Sequence, residues 1–215
     1  MVEDDRFLYL ISPESVTTPE ALDAFAPKLE EALATDQVAA FQLRLKGVSD
    51  DWIATAVRRL LPLCRARDVA FILNDRPDLA VALDCDGAHV SADEDMPIAK
   101  AREILGEDRI LGATCRDSRH MAFEAGEDGA DYVAFGAFFP STSKAAKSRV
   151  TPDMLEWWSE IAVLPSVAIG GITAENCGPI YKAGADYICV ISAVWDHPAG
   201  PAAGVQALVD ACQAA

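Results

Sequence analysis

The chain alternates strictly between short apolar runs and segments of helical periodicity, and this alternation limits the folds open to it. Eight runs of four to nine residues are largely apolar, as expected for strands covered on both faces. Apolar residues in the intervening segments recur at i, i+3 and i+4, which predicts amphipathic helices. The predicted strands are Phe7–Ser12, Val38–Lys46, Val69–Asn74, Gly87–Val90, Ile110–Cys115, Tyr132–Gly136, Ser166–Gly170 and Tyr187–Ser192, and predicted helices include Trp52–Arg67, Pro152–Ile161 and Ala203–Ala214.

Strand and helix in regular alternation predict a parallel sheet, since each helix returns the chain to the same end of the sheet. Eight such units favour a closed (β/α)8 TIM barrel, with an open doubly wound sheet as the alternative. We expect residues 1–215 to form this barrel as one domain. Helix starts are marked by Thr18, Ser49 and Thr151, which can cap the first turn, and two of these precede a proline.

The charge of the chain excludes several classes of partner. With 34 acidic and 18 basic residues the formal net charge is −16, which disfavours binding to nucleic acid or to an anionic membrane. No apolar run reaches the ~20 residues that span a bilayer, and the acidic start Glu3-Asp4-Asp5 is unlike a secretory signal. We expect a cytoplasmic protein with small phosphorylated substrates, and a homo-oligomer is compatible with the sequence.

Polar residues alternate with leucines at the end of the second predicted strand. On a strand, Gln42, Arg44 and Lys46 share one face, while Leu43 and Leu45 share the other. If the leucines pack under the helices, the polar set points inward, and inward cations must be paired or must bind an anion. An edge strand with a solvated polar face is the alternative.

Carboxylates follow the third and fourth strands. Asp75 lies in Asn74-Asp75-Arg76, where it could bind a divalent cation that holds a phosphate, or could cap the next helix. An acidic cluster, Asp93-Glu94-Asp95, follows the fourth strand. Parallel strands bring these two ends to one rim of a barrel, so the clusters could together form a Mg2+ site.

Phosphate-binding features follow the later strands. The run Pro140-Ser141-Thr142-Ser143-Lys144 offers hydroxyl donors and a positive charge in the one long loop of the chain. Gly170-Gly171 and Ile191-Ser192 end the last two strands, in the quadrant where such barrels commonly bind phosphate. Taken separately, each could be an ordinary loop or turn.

Together these segments resemble the thiamine-phosphate synthase family over essentially the whole chain. The matching pieces occur in the same order and spacing, and are Leu8-Tyr9-Leu10-Ile11, Gln42-Leu43-Arg44-Leu45-Lys46, Asn74-Asp75-Arg76, Gly87-Ala88-His89-Val90, Tyr132-Val133-Ala134-Phe135-Gly136 with Pro140-Ser141-Thr142-Ser143-Lys144, and Ala168-Ile169-Gly170-Gly171-Ile172. The family joins an aminopyrimidine pyrophosphate to a thiazole phosphate, with release of pyrophosphate and with Mg2+ as cofactor.

The resemblance also implies roles for individual residues. It places around the pyrophosphate or the pyrimidine a set made of Gln42, Arg44, Lys46, Asn74, Thr114, Ser141, Ser143 and Lys144. Among these, Arg44, Lys46, Thr114 and Lys144 are the catalytic candidates. Asp75 is implied as a metal ligand, and Gly171, Ile191 and Ser192 as the cradle of the thiazole phosphate.

The sequence departs from the family pattern in two places. The usual His-x-Gly-Gln-x-Asp is His89-Val90-Ser91-Ala92-Asp93-Glu94-Asp95 here, so the second metal ligand is Asp95 or, by strict counting, Glu94, and we favour Asp95. The usual Gly-x-Ser after the fifth strand is Gly112-Ala113-Thr114. Two other functions stay open, namely the related thiazole tautomerase and a non-catalytic barrel that binds phosphorylated metabolites.

Overall fold

The computed structural model describes residues 6–91, 96–140 and 150–215 and forms a closed barrel of eight parallel strands in the order β1 to β8. The predicted (β/α)8 barrel is therefore confirmed, and the open doubly wound sheet is excluded. That residues 1–215 form one domain stays a prediction, because three short segments of that range lie outside the description. The strands are β1 (Leu8–Ile11), β2 (Val38–Leu43), β3 (Ala70–Asn74), β4 (Gly87–Ser91), β5 (Ile110–Arg116), β6 (Tyr132–Gly136), β7 (Ser166–Ile169) and β8 (Tyr187–Val190).

Helices follow the strands and cover the outside of the barrel. They are α1 (Pro19–Leu33), α2 (Asp50–Arg65), α3 (Pro77–Ala82), α4 (Ile98–Leu105), α5 (Arg119–Glu127), α6 (Asp153–Ile161), α7 (Cys177–Lys182), α8 (Ser192–Trp195) and α9 (Pro201–Gln213). The hydroxyls of Thr18 and Ser49 accept backbone N–H groups at the starts of α1 and α2, as predicted. Thr151 does not cap α6, because Pro152 occupies the cap position and the Thr151 hydroxyl contacts the Asp153 carboxylate instead. Within the described ranges, no helix is long and apolar enough to cross a membrane.

Two layers of apolar side chains surround the strands. The outer layer packs strands against helices, with Phe41, Phe71 and Phe135 fully buried in it. The inner layer fills the barrel and includes Tyr9, Ile72, Tyr132, Val167 and Cys189. Alternation along each strand separates the layers, so a polar residue on the inner face points into the barrel.

The predicted strand Val38–Lys46 is three residues too long, since β2 ends at Leu43. The ladder stops there because the last residue of β1, Ile11, pairs with Gln42, one residue before the end of β2. The next residue after β1, Ser12, contacts the backbone of Arg44 through its side chain instead of continuing the ladder. The Ser12 hydroxyl accepts the Arg44 N–H at 2.9 Å and faces the Arg44 carbonyl at 3.4 Å. Arg44 and Lys46 are thereby placed on the rim beyond the strand, whereas Leu43 and Leu45 are buried under the helices as predicted.

Contacts far apart in sequence close the barrel. β1 pairs with β8 in parallel, with Leu8 opposite Ile188 and Leu10 opposite Val190. Just beyond β8, the indole N–H of Trp195 donates to the Ile11 carbonyl at 2.6 Å. The first and last strands are thus joined by a ladder and by a buried side-chain hydrogen bond.

Gly112 on β5 leaves the space that the Tyr132 ring occupies, since a Cβ at this position would overlap that ring. Gly112→Ala is expected to lower the free energy of unfolding by about 2 kcal/mol, because a rigid, hydrogen-bonded ring cannot yield without strain. Urea denaturation would measure this change. Gly126→Ala on α5 is the matched control, since its Cβ would meet Leu164 at an ordinary 3.4 Å and alanine favours the helix. Equal stability of the two variants would contradict the prediction.

Candidate active site

The rim at the carboxyl ends of the strands carries nine of the predicted site residues. Those that the structure describes are Gln42, Arg44, Lys46, Asn74, Asp75, Thr114, Gly171, Ile191 and Ser192. Five further candidates, Ser141, Ser143, Lys144, Glu94 and Asp95, lie outside the described residues, as does Asp93. In a barrel of this kind the carboxyl-end face is where ligands bind, so the described set lies on the expected face.

Lys46 and Asp75 form an ion pair across the ends of β2 and β3, with 3.4 Å between Nζ and the nearer carboxylate oxygen. Asp75 has a left-handed backbone, φ 60°, and its N–H donates to the His89 carbonyl at 2.8 Å. That hydrogen bond fixes the carboxylate at the junction of β3 and β4. Both side chains keep over a third of their surface exposed, so a ligand can reach them.

Arg44 is held in place by residues that follow β1. Its guanidinium makes a short hydrogen-bonded ion pair with Glu14, and its side chain is only 18% exposed. Ser12 fixes the backbone of the same residue. Sequence reasoning required a partner for Arg44 but did not identify Glu14, which has no recognisable spacing relative to the second strand.

Gln42 lies on the inner face of β2 and is 3% exposed. Its amide nitrogen is buried and, within the described residues, has no hydrogen-bond partner. A buried amide without a partner costs on the order of 1–3 kcal/mol, which a ligand acceptor would offset. Gln42 therefore offers a donor inside the barrel that no described residue uses, and its role in ligand binding stays a prediction.

A chain of hydrogen bonds runs through the barrel from Tyr9 to Thr114. The Tyr9 and Tyr132 hydroxyls lie 2.8 Å apart, Tyr132 contacts His89 Nδ1 at 2.9 Å, and His89 Nε2 contacts Thr114 Oγ1 at 2.7 Å. Burial lowers the pKa of His89 to about 4, and the Asp75 carboxylate opposes only part of that shift. Burial also raises the pKa of both tyrosines, so the histidine is neutral and both phenols are protonated near pH 7.

The far side of the rim is shaped by a turn and a short helix. Gly171 has φ 62°, and a Cβ there would overlap the Pro140 carbonyl, so only glycine fits without strain. The Asn176 side chain clamps the turn by donating to the Gly171 carbonyl at 3.0 Å and accepting the Thr173 N–H at 2.8 Å. Ser192 begins α8 directly after Ile191, and the first N–H groups of a helix have no partner inside it. Sequence reasoning found Gly171, Ile191 and Ser192 but not Asn176.

The described residues supply only part of a metal site. Within them, no group of three or more His, Cys, Asp and Glu side chains comes together. Asp75 is the one described carboxylate of the predicted metal pair, and the other candidates fall within residues 92–95. Mg2+ commonly takes one or two protein carboxylates, with water and substrate phosphate as the other ligands. One fixed, exposed carboxylate beside a lysine agrees with that donor set.

These features define a (β/α)8 barrel whose rim joins cations, a carboxylate and, among the described residues, a buried amide donor without a partner, as in barrels that bind small phosphorylated molecules. The family model described as thiamine monophosphate synthase matches residues 8–194. A thiamine-phosphate synthase of Rhodospirillum centenum is 56% identical over 203 residues, which cover 94% of this chain and 95% of that protein. Another, from Hyphomonas neptunium, is 46% identical over 204 residues and covers 93% and 90%.

Solved structures agree with these sequence matches. A thiamine phosphate pyrophosphorylase from Pyrococcus furiosus superposes with a TM-score of 0.84 at 31% identity, covering 100% of this chain and 98% of that one. The chain belongs to the thiamine-phosphate synthase family, a family of transferases in thiamine biosynthesis. The resemblance seen in the sequence is confirmed.

Proposed function

We propose that the chain couples hydroxymethylpyrimidine pyrophosphate with thiazole phosphate to give thiamine phosphate and pyrophosphate. The observation that carries this proposal is the Lys46–Asp75 ion pair on the rim. It puts a cation for a departing pyrophosphate beside a carboxylate for a divalent ion. Family membership supports the same reaction.

In the proposed reaction, the bond between the pyrimidine methylene and the pyrophosphate oxygen breaks, and its electron pair leaves with the pyrophosphate. Negative charge then grows where Lys46 and Arg44 stand, and cations fixed in advance stabilise such charge by several kcal/mol. The thiazole nitrogen supplies its own lone pair for the new carbon–nitrogen bond, so the step requires no general base. Mg2+, held by Asp75 and by Asp95 or Glu94, would neutralise part of the pyrophosphate charge.

Binding of the two substrates is divided between the two sides of the rim. Gln42, Asn74 and Thr114 lie on the side of β2, β3 and β5 and would hold the pyrimidine. Gly171, Ile191 and Ser192 would hold the thiazole phosphate through backbone N–H groups. That Ser141, Ser143 and Lys144 contact the pyrophosphate stays a prediction, because these residues lie outside the described part of the chain.

The direct test is to incubate the purified protein with both substrates and Mg2+ and to measure thiamine phosphate and pyrophosphate. Stoichiometric formation of both, dependent on each component, is the expected result. If instead the protein only isomerises thiazole carboxylate phosphate, followed by NMR in the same buffer, it acts as a tautomerase. Tight binding of both substrates with no product would indicate a non-catalytic barrel.

Gln42→Leu separates binding from folding. Leucine removes a buried amide nitrogen that lacks a partner, so the free energy of unfolding should rise by about 1 kcal/mol. The same change should weaken binding of the pyrimidine pyrophosphate by about 10-fold, as lost donors do. Calorimetric titration with Mg2+ and without thiazole would measure the affinity. Gln206→Leu on the exposed face of α9 is the control, and an equal loss of affinity there would contradict the assignment.

A further inference from the structure

The series of hydrogen-bonded side chains Tyr9–Tyr132–His89–Thr114 is buried at the Tyr9 end and partly exposed at the Thr114 end. Tyr9, Tyr132 and His89 are at most 9% exposed, whereas Thr114 is half-buried at the end of β5. Around Tyr9 lie Ile11, Ile72, Val167 and Cys189, and in the described part of the chain its hydroxyl bonds only to Tyr132. This series of hydrogen bonds therefore runs from the apolar interior of the barrel to the carboxyl end of β5.

The number of hydrogens that these four side chains carry determines which group donates in each hydrogen bond. Three hydroxyls and a neutral imidazole carry four hydrogens on oxygen and nitrogen, and the three contacts use three of them. If Thr114 donated to His89 Nε2, then Nδ1 would donate to Tyr132, and the spare hydrogen would sit on Tyr9 or Tyr132. A protonated imidazole would donate at both nitrogens and would likewise leave one tyrosine hydroxyl hydrogen without an acceptor. A buried hydroxyl hydrogen without an acceptor is costly.

The opposite order leaves no buried hydrogen unused. Tyr9 donates to Tyr132, Tyr132 donates to His89 Nδ1, and His89 Nε2–H donates to Thr114 Oγ1. The spare hydrogen is then that of Thr114, at the partly exposed end. Thr114 has then accepted a hydrogen bond on its oxygen, which leaves its own O–H to donate to a group beyond these four side chains.

We propose that Tyr132 is a positioning residue that, through His89, orients the Thr114 hydroxyl as a donor to an acceptor atom of the pyrimidine substrate. Tyr9 completes the order by donating to Tyr132. The identity of the ligand rests on the proposed function, but the order of the hydrogens does not. Gly112 contributes to the same arrangement, because its lack of a side chain leaves room for the Tyr132 ring beside His89.

Two Tyr→Phe variants make the same chemical change with different expected effects. In Tyr9→Phe, Tyr132 can still donate to His89 Nδ1. Donation in the opposite direction would leave the buried Tyr132 hydroxyl hydrogen without an acceptor, so the Nε2–H tautomer should persist. In Tyr132→Phe, His89 Nδ1 has no partner in either order, so the Nε2–H tautomer loses the support of Tyr132 and the Nδ1–H tautomer should become more populated. Binding of the pyrimidine pyrophosphate should then weaken by about 10-fold.

Long-range proton–nitrogen NMR of the full chain reads the tautomer directly. The chain has three histidines, so His120→Gln and His197→Gln assign the His89 signals. The expected result is a proton on Nε2 in wild type and in Tyr9→Phe, and a mixture in Tyr132→Phe. A wild-type proton on Nδ1, or a Tyr132→Phe spectrum identical to wild type, would overturn the proposal.

Affinity measurements complete the test. Calorimetric titration with hydroxymethylpyrimidine pyrophosphate and Mg2+ should show the loss in Tyr132→Phe and in Thr114→Val, recovered in Thr114→Ser. Tyr181→Phe on α7 should bind like wild type. Unchanged affinity in Thr114→Val would exclude Thr114 as a donor. If His89 carries its proton on Nε2 but no thiamine phosphate is ever formed, the proposed function fails while the hydrogen order stands.

Discussion

Asp75→Asn is expected to lower the Mg2+-dependent turnover of thiamine phosphate by about 100-fold or more. The carboxylate would help hold the cation that neutralises the leaving pyrophosphate, and loss of one such electrostatic contact typically costs that much. Asparagine keeps the shape and tolerates the left-handed backbone at this position, so the fold should be retained. Initial rates over a range of Mg2+ concentrations, with circular dichroism of the variant, would measure both effects.

Asp36→Asn is the matched control for this experiment. Asp36 is also left-handed, φ 54°, and also pairs with a cation, Arg67 at 3.2 Å, but it lies in the turn before β2, at the opposite end of the barrel. Its turnover should stay within a factor of about two of wild type, since exposed ion pairs contribute little. If Asp75→Asn is equally active, Asp75 does not belong to the metal site.

Acidification from neutral pH is expected to destabilise the protein through His89. Its folded pKa is about 4 against 6.5 for the free side chain, so between these values the unfolded chain binds a proton that the folded chain does not. Stability therefore rises with pH across this window and is lost as the pH falls through 6.5 toward 4. Between pH 6.5 and about pH 5 the loss amounts to roughly 2 kcal/mol.

His89→Asn should flatten this part of the pH profile, even if the variant is less stable at neutral pH. The comparison is the free energy of unfolding in urea at several pH values for wild type, His89→Asn and His120→Gln. His120 is 80% exposed on α5, so its variant should keep the wild-type slope. A wild-type slope in His89→Asn would assign the acid sensitivity to other groups.

The sequence predicted the strands and the barrel because each strand carries its own local pattern. Alternation alone correctly placed Leu43 and Leu45 under the helices, and turn chemistry identified the caps Thr18 and Ser49. The end of β2 was wrong because it depends on Ser12, a side chain from another strand. Such a tertiary contact leaves no mark in the local pattern.

The candidate site divides in the same way. Gln42, Lys46 and Asp75 could be found from position on a strand and from residue type, and the structure brings the last two together. The partner Glu14 and the order Tyr9–Tyr132–His89–Thr114 could not, because closure of the barrel brings four separate strands together. Their residue types are unremarkable singly, and only the geometry relates them.

The hydrogen bond from the Trp195 indole to Ile11 has a consequence for synthesis on the ribosome. It spans 184 positions, and the neighbouring ladder joins β1 to β8. Until β8 (Tyr187–Val190) has emerged, one edge of β1 is unpaired, and the most recently made strand presents a second unpaired edge. Open edges of this kind invite pairing with other nascent chains. Removal of β8 and Trp195 should therefore leave β1 with an open edge and reduce the yield of soluble protein.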